Sequence, residues 1–196
     1  HALHAALEMR KSLEKLNREK KVRAKLERYH SPSVVSRIMG LQDKGSKEII
    51  VYKETTATVF FMDIVGFTTK VEHLSPVETG VFLNNFFTEM TDIIFKHNGT
   101  LDKYIGDAIM AVFGVPFEIG NHAESAIQAA LDMMAKLKEM NRNQPQKDRI
   151  EIRIGINTGK LISGDFGSPK RLDYTVIGNT VNVASRLGSS GAGSNE

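Results

Sequence analysis

The run Ala57-Thr58-Val59-Phe60-Phe61-Met62 constrains this chain more than any other stretch. Its near-continuous apolar character reads as a central strand buried on both faces. The strand then delivers one carboxylate, Asp63, and breaks at Gly66 in Ile64-Val65-Gly66-Phe67-Thr68. A lone carboxylate inside such a strand would cost several kcal/mol, so Asp63 belongs at the exposed end, where it could bind a cation. The segment Gly99 to Gly114 repeats the arrangement. Leu101–Ile105 and Ala108–Phe113 read as a β-hairpin over a two-residue turn, Gly106-Asp107. Glycine in the first turn position suits a type II′ geometry.

The flanking elements follow from local signals. Ile49–Tyr52 reads as a minor strand, and Val115–Gly120 as loop. After a loop beyond Thr68, Ser75-Pro76-Val77-Glu78 forms a capping box with proline in the first helical position. That helix runs to about Lys96 on Val77, Val81, Phe82, Phe86, Met90, Ile93 and Ile94, and stops at Asn98-Gly99. Ala123–Met140 is a second amphipathic helix, on Ala126, Ile127, Ala130, Leu131, Met134 and Leu137. Ile150, Ile152, Ile154 and Ile156 alternate with Glu151, Arg153 and Gly155, as in a strand with one buried face. Asn157-Thr158-Gly159 reads as a turn into a strand Lys160–Phe166, and Gly167-Ser168-Pro169 as a turn into Arg171–Ile177. Gly178-Asn179 opens a last helix, Thr180–Leu187. The order β-α-β-β-α-β, with more strands after it, predicts an α+β fold. The expectation is a ferredoxin-like antiparallel sheet with helices on one face, preceded by a long N-terminal helix.

That leading helix spans 1–31, lacks Gly and Pro from Ala2 to Tyr29, and is rich in Ala, Leu, Glu, Lys and Arg. Ala6, Met9, Leu13 and Leu16 keep the spacing of a coiled-coil seam; the phase breaks near Asn17–Lys21 and resumes at Val22, Leu26 and Tyr29. A parallel dimeric linker below an upstream sensor is the expectation, against a merely solvated helix. Residues 32–48 read as a short helix, Ser33–Leu41 with Pro32 as its first residue, and a loop. The folded domain is then 49–187, and the Gly/Ser-rich 188–196 a flexible tail. The net charge of +3 is uneven. Nine Lys/Arg against four Glu lie between Glu8 and Arg28, which leaves the remainder slightly acidic, so the basic pI does not signal nucleic acid. With 41% hydrophobic and 25% charged residues and no 20-residue apolar run, the composition is that of a globular domain. The absence of cysteine fits a reducing, cytoplasmic setting, and the absence of an initiating Met suggests a piece of a longer protein.

Mg²⁺ prefers oxygen ligands and is commonly held by one or two carboxylates plus substrate phosphates. Asp63 and Asp107 suit that role, and two such ions could activate a hydroxyl and neutralise a leaving phosphate. Lys103, in a short strand, is by itself an ordinary solvent-facing lysine. Asn182 and Arg186 lie at i and i+4 on one helix face, as a surface pair or as donors aimed at a phosphate. There is no P-loop, dinucleotide fingerprint, zinc spacing or Ser/His nucleophile pattern.

Four ordered motifs, F-F-M-D-I-V-G-F-T, D-K-Y-I-G-D-A-I-M-A, I-R-I-G-I-N-T-G and D-Y-T-V-I-G-N-T-V-N-V-A-S-R, resemble the catalytic domain of class III nucleotidyl cyclases from about Ala57 to Leu187. The N-terminal helix resembles the signalling linkers of bacterial receptor cyclases. The resemblance implies that Asp63 and Asp107 bind two Mg²⁺ or Mn²⁺, with the Ile64 backbone near metal. Lys103 and Thr175 would recognise adenine, while Asn182 orients the ribose and Arg186 stabilises the pentavalent phosphorus. It further implies head-to-tail homodimers whose composite sites take the metal aspartates from one copy and the other four residues from its mate. Guanylyl cyclases carry Glu at the lysine position and typically Cys at its partner, so Lys103 with Thr175 favours ATP. The implied reaction is ATP to 3′,5′-cyclic AMP and pyrophosphate; the alternatives are a guanylate cyclase or an inactive dimerisation or regulatory module. The family's triphosphate-binding lysine and closing strands, which follow the N-x-x-x-R helix, have no counterpart in Gly188–Glu196.

Overall fold

The computed structural model describes residues 2–27, 30–42 and 52–189. The chain divides into two compact units, His1–Lys47 and Glu48–Glu196. In the first, α1 (Ala2–Leu26) and α2 (Pro32–Gln42) are helical, with proline opening α2 as its sequence predicts. Along α1 the pairs Arg10–Glu14 and Arg23–Glu27 link successive turns, while Met9, Leu13 and Leu16 are exposed. Arg23 Nη2 also donates to Ser36 Oγ at 3.0 Å, tying α1 to α2.

The second unit runs β1 (Lys53–Ile64), α3 (Phe67–Val71), α4 (Pro76–Lys96), β2 (Thr100–Ile105), β3 (Ala108–Phe113), α5 (His122–Met140), β4 (Ile152–Ser168), β5 (Arg171–Ile177) and α6 (Asn179–Ser189). The strands form one antiparallel sheet in the order β2-β3-β1-β4-β5. β1 is thus the middle strand, as its apolar run requires. The capping box is present: Glu78 N–H donates to Ser75 Oγ, and Ser75 N–H to Glu78 Oε2 at 2.8 Å. Asn98 takes a positive φ of 60° just past α4, the left-handed residue that a helix stop needs.

Strand alternation sorts the core into two layers. Phe60, Met62 and Ile64 of β1, with Ile109, Ala111 and Phe113 of β3, pack under Phe86, Met90 and Ile94 of α4 and Ala126, Ala129, Met133 and Leu137 of α5. Ala57 and Val59 face the other way and meet Met110, Val112, Leu161, Val176 and Ala184 of α6. The two long helices therefore share one face, and α6 covers part of the other.

Three local expectations are corrected. Asn157-Thr158-Gly159 is not a turn: β4 continues through it, paired with β1 from Lys53↔Ser163 to Ile64↔Ile152. Its glycines serve close approach instead. A Cβ at Gly155 would lie 2.3 Å from Ala184 O, and one at Gly159 2.7 Å from Thr180 Oγ1, so α6 seats on the bare backbone of β4. The segment after Asp63 holds a short helix, α3, where loop was expected. On α5 the buried face is displaced by one position, leaving Ile127, Leu131 and Met134 exposed. Of the expected minor strand Ile49–Tyr52, residues 49–51 lie outside the described residues, as does most of the 42–48 loop.

Candidate active site

Asp63 and Asp107 are brought together from two directions. β1 pairs with β3 out to Met62↔Ile109, which places the β2–β3 turn beside the end of β1. In that turn Gly106 has φ 62° and Ile105 pairs with Ala108, the expected two-residue connection. Burial raises the Asp107 carboxyl above its usual range, and the Asp63 carboxyl within hydrogen-bonding reach raises it further; the Ile64 backbone counters by donating to it. Two acidic groups this close hold either a shared proton or a cation between them. Arg153 Nη2 lies 2.7 Å from Asp63 Oδ2, and Arg153 Nε is buried without a hydrogen-bond partner. Arg153 faces Asp63 because the two are register partners on β4 and β1. Sequence reading missed this residue: strict alternation marked it only as the polar side of a strand.

The donor set suits a hard divalent cation. Asp63 and Asp107 offer carboxylate oxygens only, and two carboxylates leave room for water and phosphate ligands. Among the described residues no cluster of three or more His, Cys, Asp or Glu offers an alternative.

A second cluster forms where β2 and β5, the two edges of the sheet, meet through side chains. Lys103 Nζ lies 3.4 Å from Thr175 Oγ1, and Thr175 Oγ1 donates to Asp102 Oδ2 at 2.5 Å. Asp102 Oδ1 faces Lys103 Nζ at 3.2 Å, and its side chain is only 4% exposed. Burial raises the Asp102 carboxyl, and hydrogen bonds from Thr175, Lys103 and the Val176 backbone oppose that rise. Lys103 and Thr175 were both expected at the site, but Asp102 was not. Its signal was faint, a carboxylate in a strand otherwise read from its lysine.

Asn182 and Arg186 stand exposed on α6, where Arg186 Nε donates to Asn182 O at 3.3 Å. The start of α6 is fixed by Thr180 Oγ1 donating to Lys160 O at 2.6 Å and Asn157 Nδ2 donating to Thr180 O at 3.0 Å. Gly178, at φ 153°, makes the β5–α6 junction with a backbone conformation that side chains disfavour. The chain thus offers an acidic pair with one guanidinium, a separate donor–acceptor cluster, and two exposed polar groups on a firmly anchored helix.

Comparison with known proteins places this arrangement. Residues 50–195 match the family model for the adenylate and guanylate cyclase catalytic domain. An adenylate cyclase of Anabaena cylindrica is 36% identical over 176 residues, covering 87% of this chain and 34% of that protein. The chain therefore spans about a third of that relative's length. The crystal structure of the adenylyl cyclase CyaB from P. aeruginosa is 41% identical with a TM-score of 0.66, covering 72% of this chain and 74% of that one. A non-canonical dimeric guanylyl cyclase domain from the aquatic fungus Blastocladiella emersonii is 32% identical with a TM-score of 0.63, covering 70% of this chain and 76% of that one. With this fold, these motifs and a family match across the whole sheet, the chain belongs to the class III nucleotidyl cyclases, as the adenylate and guanylate cyclase catalytic domain.

Proposed function

We propose that this domain is an adenylate cyclase, forming 3′,5′-cyclic AMP and pyrophosphate from ATP. The observation that carries the choice of base is Lys103 beside Thr175. An ammonium can donate to adenine N1, and a threonine oxygen can accept from the exocyclic amine. Similarity alone does not choose between bases, since adenylyl and guanylyl cyclases are both among the relatives.

Asp63 and Asp107, with the Ile64 backbone beside them, would hold two Mg²⁺ or Mn²⁺ ions. When bound, these supply activation of the ribose 3′-hydroxyl and neutralisation of the leaving phosphates. Arg153 now neutralises Asp63; a cation there would free its guanidinium fork for phosphate oxygens. Asn182 would orient the ribose. Arg186 would meet charge developing on the transferred phosphorus, a kind of contribution worth about 3–4 kcal/mol per donor. Its exposure, with that of Asn182, supports a site completed across a head-to-tail homodimer, whose two-fold symmetry makes two equivalent sites. The exposed Met9, Leu13 and Leu16 support a parallel coiled coil in α1 that carries the signal of an upstream sensor. One residue inserted near Lys20 should then change basal activity or its response; unchanged output would reduce α1 to a tether.

The decisive assay is cyclic nucleotide formation from ATP and from GTP with Mg²⁺ or Mn²⁺. Product from GTP but not ATP would move the domain to the guanylate cyclases. A domain that bound neither nucleotide nor Mn²⁺ would be a regulatory module.

A further inference from the structure

We infer that Asp102 aims the Thr175 hydroxyl and thereby sets the preference for adenine over guanine. The inference rests on the proposed reading of Lys103 and Thr175 as base contacts.

The backbone first makes the cluster possible. Leu101 pairs with Ala111 and Lys103 with Met110, so Asp102 is an extra residue in β2, a β-bulge. Regular alternation would send Asp102 and Lys103 to opposite faces of the sheet. The bulge turns Lys103 to the face of Met110, its cross-strand partner, and leaves it within 3.2 Å of the Asp102 carboxylate. Thr175 and the Val176 backbone reach the same carboxylate from β5. A carboxylate buried this deeply, on a bulge, between two base-contacting residues, is an expensive arrangement if it serves only to join two strands.

Counting protons and lone pairs gives it a use. An ionised carboxylate only accepts, so the Thr175 hydroxyl commits its single proton to Asp102. Lys103 occupies one of the two remaining lone-pair positions of Thr175, which leaves one free to accept. The ammonium has three protons; Thr175 takes one, and the Asp102 carboxylate holds the group by charge at 3.2 Å without a directed hydrogen bond at Oδ1, so at least one proton is free to donate. The cluster therefore presents one donor and one acceptor side by side. Adenine presents the complement, an acceptor at N1 and a donor at the exocyclic amine. Guanine presents the reverse at both positions, N1–H and the O6 acceptor. Without Asp102 the hydroxyl is free to turn its proton outward and greet O6, so Thr175 alone does not discriminate.

The test uses Asp102→Asn in the full-length dimeric enzyme, with steady-state kinetics on ATP and GTP. The amide oxygen will stay on the Lys103 ammonium, so its NH₂ faces Thr175 and the hydroxyl proton turns outward. The ATP-over-GTP ratio of kcat/KM should fall at least tenfold, mostly through a higher KM for ATP. Made in a Thr175→Val background, the same change should leave the ratio where Thr175→Val alone puts it. Equal losses on both nucleotides with the ratio unchanged, or the same shift in both backgrounds, would overturn the inference. Should Asp102→Asn not fold, the unmodified enzyme answers with inosine triphosphate, which carries guanine's N1–H and O6 without its 2-amino group. Rejection as strong as that of GTP is expected; turnover like that of ATP contradicts reading at N1 and the 6-position. Failure of the underlying reading looks different: Thr175→Val would itself leave the ATP-over-GTP ratio untouched.

Discussion

The two clusters of this domain spend their carboxylates in opposite ways. Asp63 and Asp107 come from the end of β1 and the β2–β3 turn, are partly exposed, and face one another so closely that burial and Asp63 together raise Asp107. They form an acidic pair short of positive charge, despite Arg153, and that shortage suits a cation. Asp102 is more deeply buried; Thr175 donates to its Oδ2, and the Lys103 ammonium stands 3.2 Å from its Oδ1, which accepts no hydrogen bond in this arrangement. One cluster is built to acquire charge from outside. The other uses its charge internally to fix the direction of neighbouring groups. On the proposed reading, metal chemistry and base selection could therefore be varied separately, although Asp107 and Lys103 sit on the same hairpin.

Substitutions in the two clusters should then fail differently. The largest effect is expected for Asp63→Ala, which removes half of the proposed metal-binding pair: cyclase activity should fall by about a thousandfold or more, with Mg²⁺ or Mn²⁺. Activity close to the parent's would remove Asp63 from the metal assignment. Thr175→Val should cost less and act on choice, lowering the ATP-over-GTP preference by about tenfold through KM. A pure kcat loss there would mean that Thr175 does not contact the base.

The smallest effect is on stability without metal. The folded chain holds the Asp107 proton more tightly than the unfolded chain does, because its carboxyl is raised above the ordinary range. Its contribution is thus most favourable in acid; the cost builds as the pH rises from the ordinary carboxylate range through the raised value, and is full above it. With a chelator present, Asp107→Asn should melt about 1–2 °C higher than the parent near neutral pH. The gap should close as the pH falls below the usual carboxylate range. A gap independent of pH would show that burial and Asp63 do not raise the Asp107 carboxyl in the folded chain.

The sequence made some of this visible and concealed the rest for physical reasons. Features carried by local chemistry were legible: the buried run of β1, the Ser75–Glu78 capping box, the Gly106-Asp107 turn, and β5 at Arg171–Ile177. Properties of pairing and packing were not. Asn157-Thr158-Gly159 has the composition of a turn, yet β1 pairs across it and Gly159 is needed where Thr180 of α6 approaches. Small alanines let α5 bury Ala129 and Met133 rather than the larger Ile127 and Leu131, which a purely hydrophobic reading prefers. Arg153 acquires its meaning only from its register with Asp63, and Asp102 from a bulge that no residue type announces. The partners of a candidate site residue are set by the pairing of strands far apart in sequence. The candidate residue itself is the easier thing to read.

The central claim is that the two halves of each active site come from different copies of the chain. Mixing Asp63→Ala with Arg186→Ala, each nearly inactive alone, tests it directly. In a head-to-tail dimer, a mixed pair places both lesions in one site and leaves the other intact. With random exchange half of the dimers are mixed, each with one working site, so activity should recover to about a quarter of the parent's. Activity that stays at the level of the separate variants would contradict the shared site and return all six residues to a single chain.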